Sequence, residues 1–248
     1  MKISIITVSY NSEKTIEKTI NSVLEQTHKD IEYLIIDGKS TDNTMKIVNT
    51  HADKINYFIS ENDNGIYSAI NKGIKKASGD IISILHSNDI FFEKDTLEKV
   101  HKSFKDKKID FLLSSVCFKK NFNKNKINRI YNSSYFKPWM LKFGFSPAHP
   151  GFFALKRSYI KLGLYNEKLK IASDFDFFVR LFSSKNISYS YINIITVIMS
   201  LGGLSTKGYK SYLLSTKEIY SSLKKNNIKS NYFFICIRFF IKIFQFKI

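Results

Sequence analysis

A bilayer-spanning apolar run, a cysteine framework and a phosphate-binding glycine loop are all missing from this chain of 248 residues. Each absence excludes a class of protein. Its two cysteines, Cys117 and Cys236, form no C-x-x-C pair and no metal-ligand spacing, which argues against a disulfide scaffold, a zinc site or a redox dithiol. The N-terminal apolar run that begins at Ile3 is only about five residues long, too short for a signal peptide, so the chain is expected on the cytoplasmic side. No G-x-G-x-x-G and no Walker lysine loop follows the first strand, which lowers the dehydrogenase and nucleoside-triphosphatase readings. There is no internal repeat and no Pro/Gly-rich linker. Acid is scarce as well: 21 acidic residues against 39 basic ones leave a formal charge of +18. Nucleic acid, an anionic membrane and a polyphosphate ligand are the usual reasons for such an excess.

What is present alternates. Ile3 to Val8 is a continuous β-branched run, as expected of a strand buried on both faces. Ser12 is placed to cap a helix whose apolar positions Ile16, Ile20, Val23 and Leu24 share one face. Strands are expected at 31–37, 55–60 and 81–85. The Ser40-Thr41-Asp42 cluster is expected to cap a short helix, and helical spacing runs from Ile66 to Ala77 with Gly79 closing it. This order predicts an α/β fold with a mainly parallel sheet and helices on both faces. Ligands in such sheets lie beyond the carboxyl ends of the strands, where Ser9-Tyr10-Asn11, Asp37-Gly38-Lys39-Ser40 and His86-Ser87-Asn88-Asp89 should converge. Further on, 119–129 is a basic loop without acid, 152–155 reads as a strand, and 171–182 reads as a helix.

Position alone leaves the candidate residues open. Asp37 ends a strand where a base or ribose could be held, or it is a turn aspartate. Asp89 could reach a cation on a diphosphate, or it too serves a turn. Asp174 and Asp176 lie two apart, so on a helix they point in different directions. One could face the crevice while the other pairs with Arg180. His86 and His149 could touch a metal, a diphosphate or an acceptor, with a structural role the blander alternative. The 202–205 segment, Gly-Gly-Leu-Ser, reads as a loop able to fold over a ligand.

Five segments in order, Ile5 to Asn11, Ile35 to Asp42, Ser60 to Tyr67, Asn71 to Ile74 and Leu85 to Asp89, followed by Ile171 to Asp176 with Arg180, resemble family 2 glycosyltransferases. The resemblance covers roughly residues 3–206 and implies the GT-A fold, a Rossmann-like nucleotide-diphospho-sugar transferase architecture. It further implies an inverting enzyme that moves a hexose or N-acetylhexosamine from a nucleotide diphosphate, UDP first, to a lipid-linked or cell-surface glycan. In that mapping Asp37 contacts the nucleotide base, Thr7, Tyr10, Asn11 and Asn71 complete the nucleotide site, and Asp89 holds Mn²⁺ or Mg²⁺. Asp174 is the general base, and His86, His149, Asp176 and Arg180 stand on the acceptor side or behind it. Three positions depart from the family pattern: Asn88 and Ser173 replace acids, and Ile70 replaces an arginine.

The expected organisation is a transferase domain over 1–206, with a nucleotide-sugar half (1–110) and an acceptor half (111–206), then a basic helical tail over 207–248. That tail carries nine basic residues and one acid, Glu218. From residue 232 onward Arg238, Lys242 and Gln245 recur at i, i+4, i+7 among Phe, Ile and Cys. The pattern predicts a helix lying in the inner face of the cytoplasmic membrane, with packing on the domain as the alternative. A peripheral membrane enzyme with a lipid-linked acceptor follows, and no nucleic-acid partner. The rivals are a nucleotidyltransferase, which would favour a glycine- and lysine-rich loop after the first strand, and a nucleic-acid-binding protein, which would use the charge directly.

Overall fold

The computed structural model describes residues 1–120, 122, 126–200 and 208–243, with side chains as far as Arg238 in the final helix. The 202–205 loop, the centre of the 119–129 loop and the side chains of Lys242 and Gln245 lie outside the described residues.

The central strand is β1 (Ile3–Ser9), buried along its whole length between β2 (Ile31–Asp37) and β4 (Ile81–Ile84), both parallel to it. Strand β3 (Tyr57–Ser60) extends the parallel set on the far side of β2. Side chains alternate across β1: Ile3 and Ile5 enter one apolar core, Ile6 and Val8 the other, so both sheet faces are closed. Each such buried aliphatic contributes about 1.5–3 kcal/mol through removal from water. Helices α1 (Ile16–Leu24) and α3 (Ile66–Lys76) cover opposite faces, with α2 (Thr44–Asn49) beside α1. A Cβ on Gly73 would overlap the Ile6 side chain, so this glycine lets α3 lie directly on β1.

The second half supplies the antiparallel pairs of the mainly parallel sheet. After β5 (Asp89–Phe91) and α4 (Thr96–Lys107) come β6 (Phe111–Lys119), β7 (Arg129–Tyr131) and β8 (Phe152–Leu155). Strand β8 runs antiparallel between β4 and β6, because among the described residues the link from β6 to β8 contains strand β7 and short 3-10 turns and no crossover α-helix. Helices α5 (Lys156–Leu162) and α6 (Ser173–Ser183) then return the chain to β9 (Tyr189–Ser200), parallel to β6 and antiparallel to β5. The sheet order is β3-β2-β1-β4-β8-β6-β9-β5, with β7 on β6.

The tail corrects the expected placement of Arg238. Helices α7 (Tyr209–Lys225) and α8 (Tyr232–Ile243) add Ile219, Leu223 and Ile235 to the core that holds Ile6 and Phe177. Arg238 is only 6% exposed and donates from one guanidinium nitrogen to Ser215 Oγ (3.0 Å) and Thr216 Oγ1 (2.9 Å). It cannot lie at lipid headgroups while it does so. The packing alternative holds for the start of α8 because Ile235 and Arg238 face the same way, one turn apart, into the domain.

Candidate active site

The ends of β1, β2 and β3 are fastened by one carboxylate. Asp37 Oδ1 accepts from Ser9 Oγ (2.8 Å) and Ser40 Oγ (2.6 Å), and Oδ2 from Ser40 N (2.8 Å) and Ser60 Oγ (2.7 Å). Four donors fill the lone-pair positions of a carboxylate, so Asp37 acts here as a bracket beneath the strand ends. Above it, Asn11 and Lys39 adopt left-handed conformations (φ 47° and 61°), a geometry asparagine tolerates. Asn11 accepts the Thr41 N–H on its side chain (2.9 Å) and donates its own N–H to Ser40 Oγ (2.8 Å). Tyr10 is 65% exposed at this rim, its ring edge 3.5 Å from the place a Gly38 Cβ would occupy. The Asp63 carboxylate occupies the same space: Oδ2 lies 2.7 Å from that position while Oδ1 accepts the Gly65 N–H. Asp63 is thus a carboxylate at the rim that strand-end reasoning passed over.

Three expected nucleotide or capping residues are used differently. Thr7 is fully buried within β1, with its hydroxyl 3.1 Å from Tyr33 Oη, so it supports the site from below. Asn71 is buried on α3 and ties down the 165–167 segment: it donates to the Tyr165 carbonyl (2.9 Å) and Glu167 Oε1 (2.8 Å) and accepts the Tyr165 N–H (3.0 Å). Three of its four hydrogen-bonding positions are thus spent within the protein. Ser12 does not cap α1, whose N-cap is Thr15. Its hydroxyl instead meets Ser87 Oγ at 2.7 Å, joining the loop after β1 to the loop after β4.

Asp89 opens β5, where its main chain is fixed by pairing with β9 and by Thr19 Oγ1 bonded to its carbonyl (2.8 Å). The side chain is buried, and Oδ2 has no hydrogen-bond partner among the described residues. Burial pushes this carboxyl up to about 8, against a lowering contribution from the Ser200 backbone. A buried acceptor without a donor suits a cation. Among the described residues no group of three or more His, Cys, Asp or Glu side chains could hold one. The protein would therefore supply Asp89, and further oxygens would have to come from the ligand or solvent. Asn88 is turned to Ser200 Oγ (2.6 Å).

His86 and His149 sit with ring centroids 5.9 Å apart. Burial lowers His86 to about 3, reinforced by His149, and lowers His149 to about 4, so both are neutral at neutral pH. His149 Nε2 shares a hydrogen bond with Tyr165 Oη (2.8 Å), and Tyr165 stacks on Tyr67. The pair therefore leads through aromatic packing towards α6.

Asp174 stands in the first turn of α6. Its Oδ1 accepts the Phe175 N–H (2.8 Å) and lies 3.4 Å from Tyr67 Oη, which itself donates to the Ile171 carbonyl (2.6 Å). Desolvation raises this carboxyl to about 6 despite those donors, with Glu218 adding a smaller upward push. It is ionised at neutral pH yet a stronger base than an ordinary carboxylate, as proton abstraction from a hydroxyl requires. Asp176 faces the other way: it pairs with Arg180 (3.0 Å) and accepts from Ser222 Oγ (2.8 Å) on α7. Arg180 also holds the carbonyls of Leu162, Gly163 and Leu164. These two build the wall behind α6.

A mixed α/β sheet with this order is the GT-A architecture. S. aureus TarS (residues 1–349) in complex with UDP-GlcNAc superposes with a TM-score of 0.72 at 21% identity, over 90% of this chain and 66% of that one. The mannosyltransferase PcManGT from Pyrobaculum calidifontis, in complex with GDP-Man and Mn²⁺, superposes with a TM-score of 0.65 at 16% identity, over 93% and 65%. This chain spans about two thirds of the length of those solved chains. In sequence, a PGL/p-HBAD biosynthesis glycosyltransferase of Mycobacterium tuberculosis is 26% identical over 206 residues, 82% of this chain and 78% of that protein. Residues 4–163 match the model of glycosyl transferase family 2, and the chain belongs to that family. Membership sets aside the nucleotidyltransferase reading and that of a non-enzymatic nucleic-acid-binding protein.

Proposed function

We propose that the chain is an inverting transferase that moves a hexose or N-acetylhexosamine from a nucleoside-diphosphate donor, UDP first, onto a hydroxyl of a lipid-linked glycan at the inner face of the cytoplasmic membrane. The observation that carries this reading is Asp174: a carboxylate at a helix start, oriented by Phe175 and Tyr67 and raised to about 6. It takes the proton of the attacking hydroxyl. Tyr10, Asn11 and Asp63 receive the nucleoside above the Asp37 bracket. Asp89 would hold Mn²⁺ or Mg²⁺, which when bound supplies charge to offset the leaving diphosphate. The mycobacterial relative named for glycolipid biosynthesis and the UDP-GlcNAc and GDP-Man bound to the two solved structures favour this donor and acceptor class.

The deciding experiment is a screen of nucleotide sugars against lipid-linked acceptors, following release of the nucleoside diphosphate. Release that depends on acceptor and disappears in Asp174→Asn supports the reading. A protein that binds no nucleotide sugar in the presence of Mn²⁺ overturns it.

A further inference from the structure

Residues from two distant parts of the chain form an exposed aromatic surface beside α8. Trp139, in the 3-10 turn Pro138–Phe143, is 61% exposed, and Phe233, in the first turn of α8, is 75% exposed. Between them runs a continuous series of ring contacts, with centroids 6.0 Å apart from Trp139 to Phe143, 5.3 Å from Phe143 to Phe234 and 6.3 Å from Phe234 to Phe233. The two segments are pinned together by Ser230 Oγ, which donates to the Lys142 carbonyl at 2.5 Å. Large rings held in water in this way are costly unless something covers them.

Charge indicates what covers them. No Asp or Glu lies between Asp110 and Glu167 or after Glu218, so both contributing segments are free of acid. Lys137 and Lys229, next in sequence to the two segments' Pro138 and Ser230, are exposed, and Lys142 Nζ sits 4.9 Å from the Phe143 centroid. Aromatic rings flanked by lysine and devoid of acid match the interfacial region of an anionic bilayer, where rings enter at headgroup level and ammonium groups meet phosphates.

We infer that this aromatic–lysine surface, built from Pro138–Phe143 and the first turn of α8, seats the enzyme on an anionic phospholipid bilayer. The inference rests on the membrane reading given above and changes its location, since Arg238 is directed into the domain. The surface is linked through packed helices to α6, which carries Asp174. Helix α8 packs on α7 and α7 on α6, and the charges of Arg238 and Asp174 interact. A lipid-linked acceptor would approach Asp174 from the membrane without leaving it.

Trp139 is the chain's single tryptophan, so its fluorescence reports on this surface alone. The full chain is mixed with vesicles of equal parts phosphatidylglycerol and phosphatidylcholine, with pure phosphatidylcholine vesicles and with single-stranded RNA. The expected result is a blue shift and quenching by brominated lipid on the anionic vesicles only, weakened by salt. Phe233→Ser should lose most of the shift. Trp139→Ser with Phe233→Ser should reduce vesicle co-sedimentation at least tenfold, with thermal unfolding unchanged because both rings are exposed. Co-sedimentation with Trp139 still in a water-like environment, failure to bind anionic vesicles, or a shift with RNA alone would each overturn the inference. Donor turnover measured without vesicles separates the two readings. Turnover without vesicle binding removes only the docking surface, and vesicle binding without any turnover removes only the proposed reaction.

Discussion

The carboxylate of Glu218 holds the backbone of Ala172, accepting its N–H at 2.8 Å only two residues before Asp174. The same carboxylate accepts the preceding N–H groups of Lys170 (2.8 Å) and Ile171 (2.9 Å). A single buried acid on α7 thus satisfies three consecutive amides at the entrance to α6, where orphan donors and the positive end of the helix favour a negative charge. Through them it sets the position of Asp174, the proposed base.

Glu218→Gln should reduce kcat by about tenfold, near 1.4 kcal/mol, while the KM for donor changes little. An amide presents one acceptor where the carboxylate presents two, so at least one backbone N–H loses its partner. Removing the charge also removes an upward push on Asp174, so the acidic limb of the pH profile should move to lower pH. A limb that stays in place, with kcat unchanged, would leave Glu218 a purely structural role.

Asp174→Asn should lower turnover by about a hundredfold or more with donor binding retained. In the unaltered enzyme, activity should fall as pH drops through about 6, since the base must be ionised. The sign for stability is opposite. A carboxyl raised in the folded state favours folding below its unfolded value and loses that advantage as pH rises through about 6. Asp174→Asn should therefore raise the melting temperature at pH 8 more than at pH 4. A profile that is flat from pH 5 to 8 would remove Asp174 from the proton transfer.

Asp89→Ala should abolish stimulation of transfer by Mn²⁺ or Mg²⁺ and leave the far-ultraviolet circular dichroism unchanged, because no side-chain partner of Oδ2 is lost. Calorimetry with Mn²⁺ and nucleoside diphosphate together gives a second readout. If the unaltered enzyme works at full rate in chelator, the unpartnered oxygen serves something other than a metal.

Arg238→Ala should destabilise the fold by roughly 1–3 kcal/mol, since Ser215 and Thr216 lose a buried donor. Deleting residues 232–248 should cost more, because Ile235 leaves the shared core. Urea unfolding monitored by circular dichroism measures both. A truncated chain as stable as the intact one would restore the independent tail that the sequence suggested.

The sequence by itself determined the parallel half of the sheet. β-branched runs such as Ile3 to Val8 have few alternatives to a strand buried on both faces, and the polar clusters after them mark the site edge by local order alone. It also separated Asp174 from Asp176, because helical periodicity sends residues two apart in different directions. Tertiary structure decided which polar groups remained available. Thr7 and Asn71 are engaged by a tyrosine and a loop far away along the chain, and Asp37 by the distant Ser9 and Ser60 as well as the neighbouring Ser40, so local spacing could show only part of the hydrogen bonding already made. Asp63 reached the rim only because Gly38 leaves room for it. The final helix carries the composition of a membrane segment, yet Arg238 turns inwards because two hydroxyls on α7 can accept its bonds. Glu218, the lone acid of a basic tail, acquired its role only when folding set it against three unpaired amides.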